Sequence, residues 1–190
     1  MANKIEIDTS RTTGDLVDQL LEQHELVRRA INDVARTTTA ASRQEAFDAL
    51  RELLARHETA EEMIVRPLTR DINTGEAVAE ARMEEENESK DVLRQLEKLD
   101  IASVEFARTF EGFAKSVLEH AIAEETYEFP LLRQLDADEL EKAEKQFLMA
   151  EKTAPTHPHP SARSTAMNFV AGPLAAVADR ARDAVSKVTS

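Results

Sequence analysis

The chain contains no cysteine and no tryptophan, and it has only one tyrosine and four glycines among its 190 residues. Without cysteine it can form no disulfide, no thiolate metal site and no cysteine nucleophile. Alanine, leucine, glutamate and arginine are abundant instead. Because these residues favour helices and glycine is scarce, the composition predicts an all-α protein rather than a β-sandwich or β-barrel.

The chain also lacks an excess of positive charge and lacks any long apolar run. Its formal net charge is -13 and its pI is about 4.9, which is unfavourable for binding nucleic acid or an anionic membrane. The first residues, MANKIEIDTSRTTG, include no apolar core of a signal peptide, and no later segment has the length of a membrane span. We therefore expect a cytoplasmic protein that binds neither nucleic acid nor membrane.

Hydrophobic periodicity predicts long helices at about 13–36, 42–68, 76–99 and 103–135, followed by a shorter helix at 136–152. Ser42 with Glu45, and Asp136 with Glu139, have the spacing of capping boxes that begin a helix. Short loops between long helices are typical of antiparallel bundles. We therefore predict an N-terminal segment at 1–13, an antiparallel up-down four-helix bundle at 14–135 and an additional helix at 136–152.

The C-terminal part of the chain is predicted to be a linker and one more helix. The linker, 153–163, contains Pro155, Pro158 and Pro160, which exclude a continuous helix. The segment 164–190 includes an amphipathic helix after Pro173, with charges that balance too well for membrane attachment. We expect this helix to dock on the bundle, to form a homodimer or to bind a protein partner.

Histidine and glutamate interrupt the apolar stripes of the long helices. His24 lies within the stripe of the first helix, His57 and Glu61 within that of the second, and His120 and Glu124 within that of the fourth. A bare carboxylate is costly in a bundle core. Two carboxylates, each one turn after a histidine, are most simply neutralised by a shared cation.

The two halves of the chain repeat. His-x-x-x-Glu-Glu-x-x-x-x-Pro-Leu occurs at 57–68 and again at 120–131, so the second helix aligns with the fourth. Aligning the first helix with the third, with one loop residue fewer, places His24 on Glu86 and Ile31 on Leu93. The bundle is therefore predicted to have pseudo-twofold symmetry, with these six residues at its centre: His24, His57, Glu61, Glu86, His120 and Glu124.

This pattern resembles the hemerythrin-like family, named for its His-His-Glu cation-binding domain. The resemblance covers residues 14–135 and implies two iron ions with an oxo or hydroxo bridge. The resemblance implies that the family's metal ligands correspond to His24, His57, Glu61, His120 and Glu124. It also implies that the two glutamates bridge the two iron ions. Glu58, which follows His57 as in some family members, is a further candidate ligand.

Two departures from the oxygen carriers of that family bear on function. The carriers place two histidines on the third helix, where this chain has Glu86 and Lys90. On the fourth helix their ligands are a histidine and an aspartate, where this chain has His120 and Glu124. Anionic carboxylates favour ferric over ferrous iron. We therefore expect reaction with oxygen, peroxide or nitric oxide, or sensing of them, in oxidative-stress defence, and we leave open whether the protein is an enzyme.

Several alternatives remain open at this stage. The bundle could be an iron-storage, iron-sensing or protein-interaction module without turnover, or a metal-free scaffold, or it could take zinc or manganese. Tyr127 is predicted to lie on the same face as Glu124, as a core aromatic or a hydrogen-bond donor to the site. Lys90 is expected to be exposed. His157 and His159 are expected to be mobile linker residues and not a metal site.

Overall fold

The structure, a computed structural model, describes residues 14–157. Every regular element in this range is helical, which confirms the predicted all-α fold. Two of the elements are short π-helical segments, here named π1 and π2, each inserted in a longer helix. The elements in chain order are α1 (Leu16–Arg36), α2 (Ala40–Ala60), π1 (Glu61–Val65), α3 (Arg66–Asp71), α4 (Gly75–Leu96), α5 (Val104–Ala123), π2 (Glu124–Glu128), α6 (Phe129–Leu132) and α7 (Ala137–Thr153).

Polar side chains cap the N-termini of several longer helices, because they accept hydrogen bonds from backbone N–H groups of the first turn. Asp15 caps α1 and Ser103 caps α5 in this way. The capping box predicted at Asp136 is confirmed at the start of α7. The one predicted at Ser42 is wrong, because Thr39 accepts the bond from the Ser42 N–H and α2 begins at Ala40.

The bundle core has two apolar clusters, and the histidines of the predicted site lie between them along α1, α2 and α5. One cluster is built around Phe47, Phe106 and Phe110, with Leu93 and Leu96 from α4. The other contains Leu16 and Leu20 of α1, Phe129, Leu132 and several residues of α7. Each of these clusters excludes water from one side of the bundle centre, so charged groups there are strongly desolvated.

The two π segments shift the helical register by one residue, and they do so at equivalent places in the repeat. Each begins at the glutamate of a motif, Glu61 or Glu124. A π turn accommodates one residue more than an α turn, so every later side chain is rotated. Tyr127 is consequently 62% exposed, and Glu128 lies inside the bundle at the place that was predicted for Tyr127. The predicted position of Tyr127 on the inner face is therefore wrong.

Gly75 permits the tight connection between α3 and α4. A Cβ atom at this position would lie 1.7 Å from the backbone oxygen of Thr69, so no other residue fits without displacement of the backbone. Thr74, just before it, has a positive φ of 71°. The sequence Asn73-Thr74-Gly75 is typical of a turn. This turn brings α4 back along the helix that carries Glu61.

Helix α7 packs against α1, α2 and π1. The residues after it are buried against the bundle, and His157 is only 7% exposed. Its Nδ1 lies 2.5 Å from Oε1 of Glu97, so the expectation of a mobile histidine is wrong. The predicted N-terminal segment 1–13, the remainder of the linker with His159, and the helix at 164–190 lie outside the described residues. No helix within 14–157 is long and apolar enough to cross a membrane.

Candidate metal centre

Three histidine rings and two carboxylates converge at the middle of the bundle. Nε2 of His24 lies 3.1 Å from Oε2 of Glu124, and Nε2 of His120 lies 3.2 Å from Oε1 of the same carboxylate. Nε2 of His57 lies 3.4 Å from Oε1 of Glu61. Both glutamates are fully buried. The helical spacing of each motif therefore places its histidine and its glutamate on one inner face, as the sequence predicted.

The six predicted residues form two groups whose potential ligand atoms lie within 4.8 Å of one another. We name them site A and site B. Glu61 and Glu124 belong to both sites. Site A is completed by His24 and His57, and site B is completed by Glu86 and His120. Each group could hold a metal ion, and the two groups share both carboxylates.

The donor atoms of both sites fit a metal ion because so many of them are buried without a hydrogen bond. Among the described residues, unpartnered buried atoms include Nε2 of His24, Nε2 of His120, Oε1 of Glu61, Oε2 of Glu86 and Oε2 of Glu124. Buried polar atoms are rarely left without a partner, since each one costs about 1–3 kcal/mol. Several such atoms directed at one centre indicate a cation-binding site rather than a tolerated defect.

The other ring nitrogen of each histidine is hydrogen-bonded to an oxygen acceptor. Nδ1 of His24 lies 2.8 Å from Oε1 of Glu125, and Nδ1 of His120 lies 2.7 Å from Oε2 of Glu85. Nδ1 of His57 lies 2.6 Å from Oε1 of Gln23. In a neutral ring the proton then lies on Nδ1, and Nε2 presents its lone pair to the centre, as metal-binding histidines do. Without a metal, and although burial opposes the shift, Glu124 and Glu85 raise the pKa of His120 well above its ordinary value, so a cation at this ring would take the place of a proton.

Burial and charge shift the pKa values of the central groups in opposite directions. Burial, assisted by His24, lowers the pKa of His57 to about 3, so this imidazole is neutral and able to bind a metal. Burial and the charge of Glu124 raise the pKa of Glu61 well above its ordinary value. Although burial opposes it, His120 and Arg66 hold the pKa of Glu124 well below its ordinary value.

Arg66 is a central residue of the site that the sequence did not predict. Its guanidinium is fully buried and contacts Glu61, Glu86, Glu124 and Glu128. On a regular helix, a residue five positions after Glu61 lies roughly 140° away from it. The extra residue in π1 brings Arg66 back toward the face of Glu61. No signal in the sequence marked this π turn, although the repeat places both π turns at the same motif position.

Further charged pairs surround the centre on both sides. Glu62 is buried and accepts a hydrogen bond from Lys90, which is only 6% exposed, so the prediction that Lys90 is exposed is wrong. In the other half of the repeat, Glu125 accepts a bond of 2.6 Å from Arg28. The alignment of the two halves places Arg28 on Lys90 and Glu62 on Glu125. The charge pairs therefore follow the predicted pseudo-twofold symmetry.

A cleft of about 750 Å³ lies along α4 and α5 and reaches the centre at His24, His57, His120 and Glu124. Glu58 also lines this cleft. Its Oε2 is buried without a hydrogen bond, and burial raises its pKa to about 8 even though Lys90 opposes the shift. Glu58 belongs to neither site A nor site B. It therefore lies beside the centre, as a buried carboxyl group in the lining of the cleft.

Comparison with known proteins agrees with this geometry. The hemerythrin HHE cation-binding domain matches residues 15–148 of the chain. An uncharacterised hemerythrin-like protein of Schizosaccharomyces pombe is 30% identical over 138 residues, which span 70% of this chain and 68% of the yeast protein. No solved structure matches the chain. The domain match and the two His and Glu sites together indicate a metal-binding protein. The chain therefore belongs to the family of hemerythrin HHE cation-binding domains.

Proposed function

We propose that this chain is a non-haem di-iron protein that reacts with oxygen, peroxide or nitric oxide. Sites A and B would each hold one iron, with Glu61 and Glu124 serving both. The observation that carries the proposal is the sharing of two carboxylates between two sites whose other ligands are histidines and Glu86. Bound iron would supply redox chemistry and Lewis acidity. The protein supplies the ligands, the water-excluding core and the cleft.

The charges of the centre support two divalent ions. Two buried cations, Arg66 and Lys90, are hydrogen-bonded to buried glutamates there. If all of these side chains are ionised, four negative charges remain uncompensated, which is too costly in a protein interior. Without a metal, protonation relieves part of this excess, in keeping with the raised pKa values of Glu58 and Glu61. Two divalent cations balance that excess. The buried carboxylates counted here are the six of α2, π1, α4 and π2, without the two of α7: Glu58, Glu61, Glu62, Glu86, Glu124 and Glu128.

The donor types suit iron or manganese, and the resemblance to the hemerythrin family favours iron of the two. Imidazole and carboxylate ligands together suit iron and manganese, whereas a site without any thiolate is less suited to the softer ions. Each site offers four residues, which is fewer than a full octahedral shell. A small ligand can therefore bind beside the protein ligands without displacing one of them.

The cleft and its lining support small reactants. It leads from Glu105 and Arg108 on α5 to His24 and Glu124 at the centre. Glu58 lines the same cleft. A carboxyl group at this place could give or take a proton when an oxygen species enters or leaves. A role in oxidative-stress defence or in sensing an oxidant follows from such reactivity.

The proposal is tested by metal content and by reactivity measured on the same sample. Protein produced with ample iron is expected to contain about two irons per chain and to show a near-ultraviolet oxo-iron absorption that changes on addition of peroxide or nitric oxide. His120→Ala should abolish this absorption. His157→Ala is the matched control, because it removes a buried histidine that is hydrogen-bonded to Glu97 rather than directed at the centre.

Three outcomes separate the alternatives. Two irons with a responsive spectrum support a reactive di-iron protein. Tightly bound iron that does not respond to either reagent indicates an iron-storage or iron-sensing module without turnover. Protein that binds no iron, or whose spectrum is the same in His120→Ala, contradicts the assignment of the centre.

A further inference from the structure

Arg66 makes an unusual set of contacts for a residue beside a metal centre. Its Nε donates to Oε1 of Glu86 at 2.9 Å, and its Nη2 donates to the same oxygen and to Oε1 of Glu124. Nη2 also lies 3.4 Å from Oε2 of Glu61. Nη1 donates to Glu128, which is not part of either site. Three of the four residues of site B are therefore held by one guanidinium.

The hydrogen bonds of Arg66 divide the oxygens of the shared carboxylates between the two sites. Oε1 of Glu61 and Oε2 of Glu124 have no hydrogen bond and face the Nε2 atoms of His57 and His24 in site A. The opposite oxygens of both glutamates face Arg66. The oxygens that face site A are thus free of Arg66, whereas the oxygens of Glu61 and Glu124 that remain for site B are those that Arg66 contacts. Glu86 keeps one oxygen, Oε2, without a hydrogen bond.

The repeat gives an independent reason to link Arg66 with Glu86. The alignment of the second helix with the fourth places Arg66 on Phe129, and that of the first with the third places His24 on Glu86. Phe129 stacks on the ring of His24, with centroids 5.3 Å apart. One half of the bundle therefore pairs a histidine with an aromatic ring. The other half pairs a glutamate with a guanidinium at the equivalent place.

We propose that Arg66 is a built-in competitor of the second metal ion, which must take Oε2 of Glu61 and Oε1 of Glu124 from its guanidinium. Site A then fills first, with Arg66 in place, and site B fills only when Arg66 gives up these hydrogen bonds. The inference rests on the proposed di-iron function and adds an order of loading to it. A competitor of this kind also keeps the carboxylates of site B paired whenever only one ion is bound, so the protein does not depend on full loading to stay folded.

The test is a titration of the metal-free full chain with Fe²⁺ under anaerobic conditions, in which calorimetry measures the heat of each binding step. The wild type is expected to bind two ions in separate steps, with the second weaker. Arg66→Met should strengthen the second step by roughly 10- to 100-fold, the scale at which outer partners change metal affinity, while the first step changes much less. The melting temperature of the metal-free variant should fall, and it should recover after two ions are bound.

Arg51→Met is the matched control, because Arg51 is also a buried arginine but it donates hydrogen bonds to Asp48 and to the backbone oxygen of Thr156, outside both sites. This variant should leave the gap between the two steps close to that of the wild type. Arg66→Lys keeps the charge with fewer donors and should give an intermediate second step. It also provides the measurement if Arg66→Met does not fold.

The outcomes distinguish this inference from the proposed function. Two-step binding with an unchanged or weaker second step in both Arg66 variants would overturn the competition and leave the di-iron proposal intact. A single ion in the wild type and two in Arg66→Met would support competition in its strongest form. Failure of the wild type and of both Arg66 variants to bind a second ion would overturn both proposals.

Discussion

Gln23 and Glu85 occupy equivalent positions in the two halves of the bundle, and each accepts a hydrogen bond from Nδ1 of a motif histidine. Gln23 is fully buried and is held in turn by Glu151 of α7. Glu85 is a carboxylate with a side chain that is 40% exposed. A carboxylate makes its imidazole a stronger donor than an amide does. His57 in site A and His120 in site B therefore differ in basicity although the repeat makes them equivalent.

Loss of the Gln23 carbonyl should weaken metal binding at site A. In Gln23→Met the Nδ1 proton of His57 loses its acceptor, so the ring is no longer fixed in orientation and tautomer. We expect the affinity for the first ion to fall roughly 10- to 100-fold. The measurement is Fe²⁺ binding to the metal-free variant, with Gln44→Met as control because Gln44 is exposed on α2. Equal affinities in the two variants would show that Gln23 does not position His57.

Variants that lack one ligand should differ in metal content, depending on whether that ligand belongs to one site or to both. Glu86 belongs to site B alone, so Glu86→Ala should retain about one ion per chain. Glu124 belongs to both sites, and Glu124→Ala should lose both ions. Elemental analysis of protein produced with ample iron gives the ratio. Glu84→Ala is the control, since Glu84 lies in the same acidic run but is exposed, and it should keep both ions. Two ions in Glu86→Ala would exclude Glu86 as a ligand.

The sequence carried enough information for the fold and for the positions of the six central residues. Their three- and four-residue spacing, doubled in the repeat, places them on inner helix faces whatever the details of the loops. Glu86 was the weakest of these predictions, since it lies in the run Glu84-Glu85-Glu86. The structure leaves Glu84 exposed and buries Glu86, whose exposure is 1%. Alignment with His24 was therefore a better guide than local composition.

The residues that sequence reasoning missed all follow from the π turns and from packing at a distance. A periodicity argument assumes a constant rotation of about 100° per residue, so it puts Tyr127 inside and Arg66 outside. One inserted residue in each π turn reverses both assignments. Gln23 and Glu151 were missed for another reason, because their contact joins residues 128 positions apart and depends on how α7 packs.

Replacing Glu151 by its neutral isostere should stabilise the protein at neutral and alkaline pH. Burial raises the pKa of Glu151 above its ordinary value of 4.5, although Gln23 and Arg56 oppose the shift. The folded chain thus binds this proton more tightly than the unfolded chain, and its free energy of unfolding decreases as pH rises from 4.5 through the raised pKa. Glu151→Gln removes that decrease and can still accept the bond from Gln23.

Chemical denaturation of the metal-loaded proteins between about pH 5 and pH 9 measures this effect. The difference in unfolding free energy, variant minus wild type, should be small at the acid end and should grow as pH rises. Glu141→Gln is the control, because Glu141 is exposed on the same helix. A difference that stays constant with pH would mean that Glu151 does not titrate differently in the folded and unfolded states.

Stability and metal binding should be separable, because the aromatic cluster lies well away from the centre. Phe47 is 1% exposed and packs edge to face with Phe106, with ring centroids 5.2 Å apart. Phe47→Ala leaves a cavity and should cost about 3–5 kcal/mol of unfolding free energy in urea denaturation. His57 lies about 15 Å further along α2, so both ions should remain bound below the transition. Tyr127→Ala is the contrasting variant: with its side chain 62% exposed, its cost should stay within about 0.5 kcal/mol. A large loss of stability in Tyr127→Ala would show that this side chain is packed, and loss of iron in folded Phe47→Ala would show that the cluster and the centre are one cooperative unit.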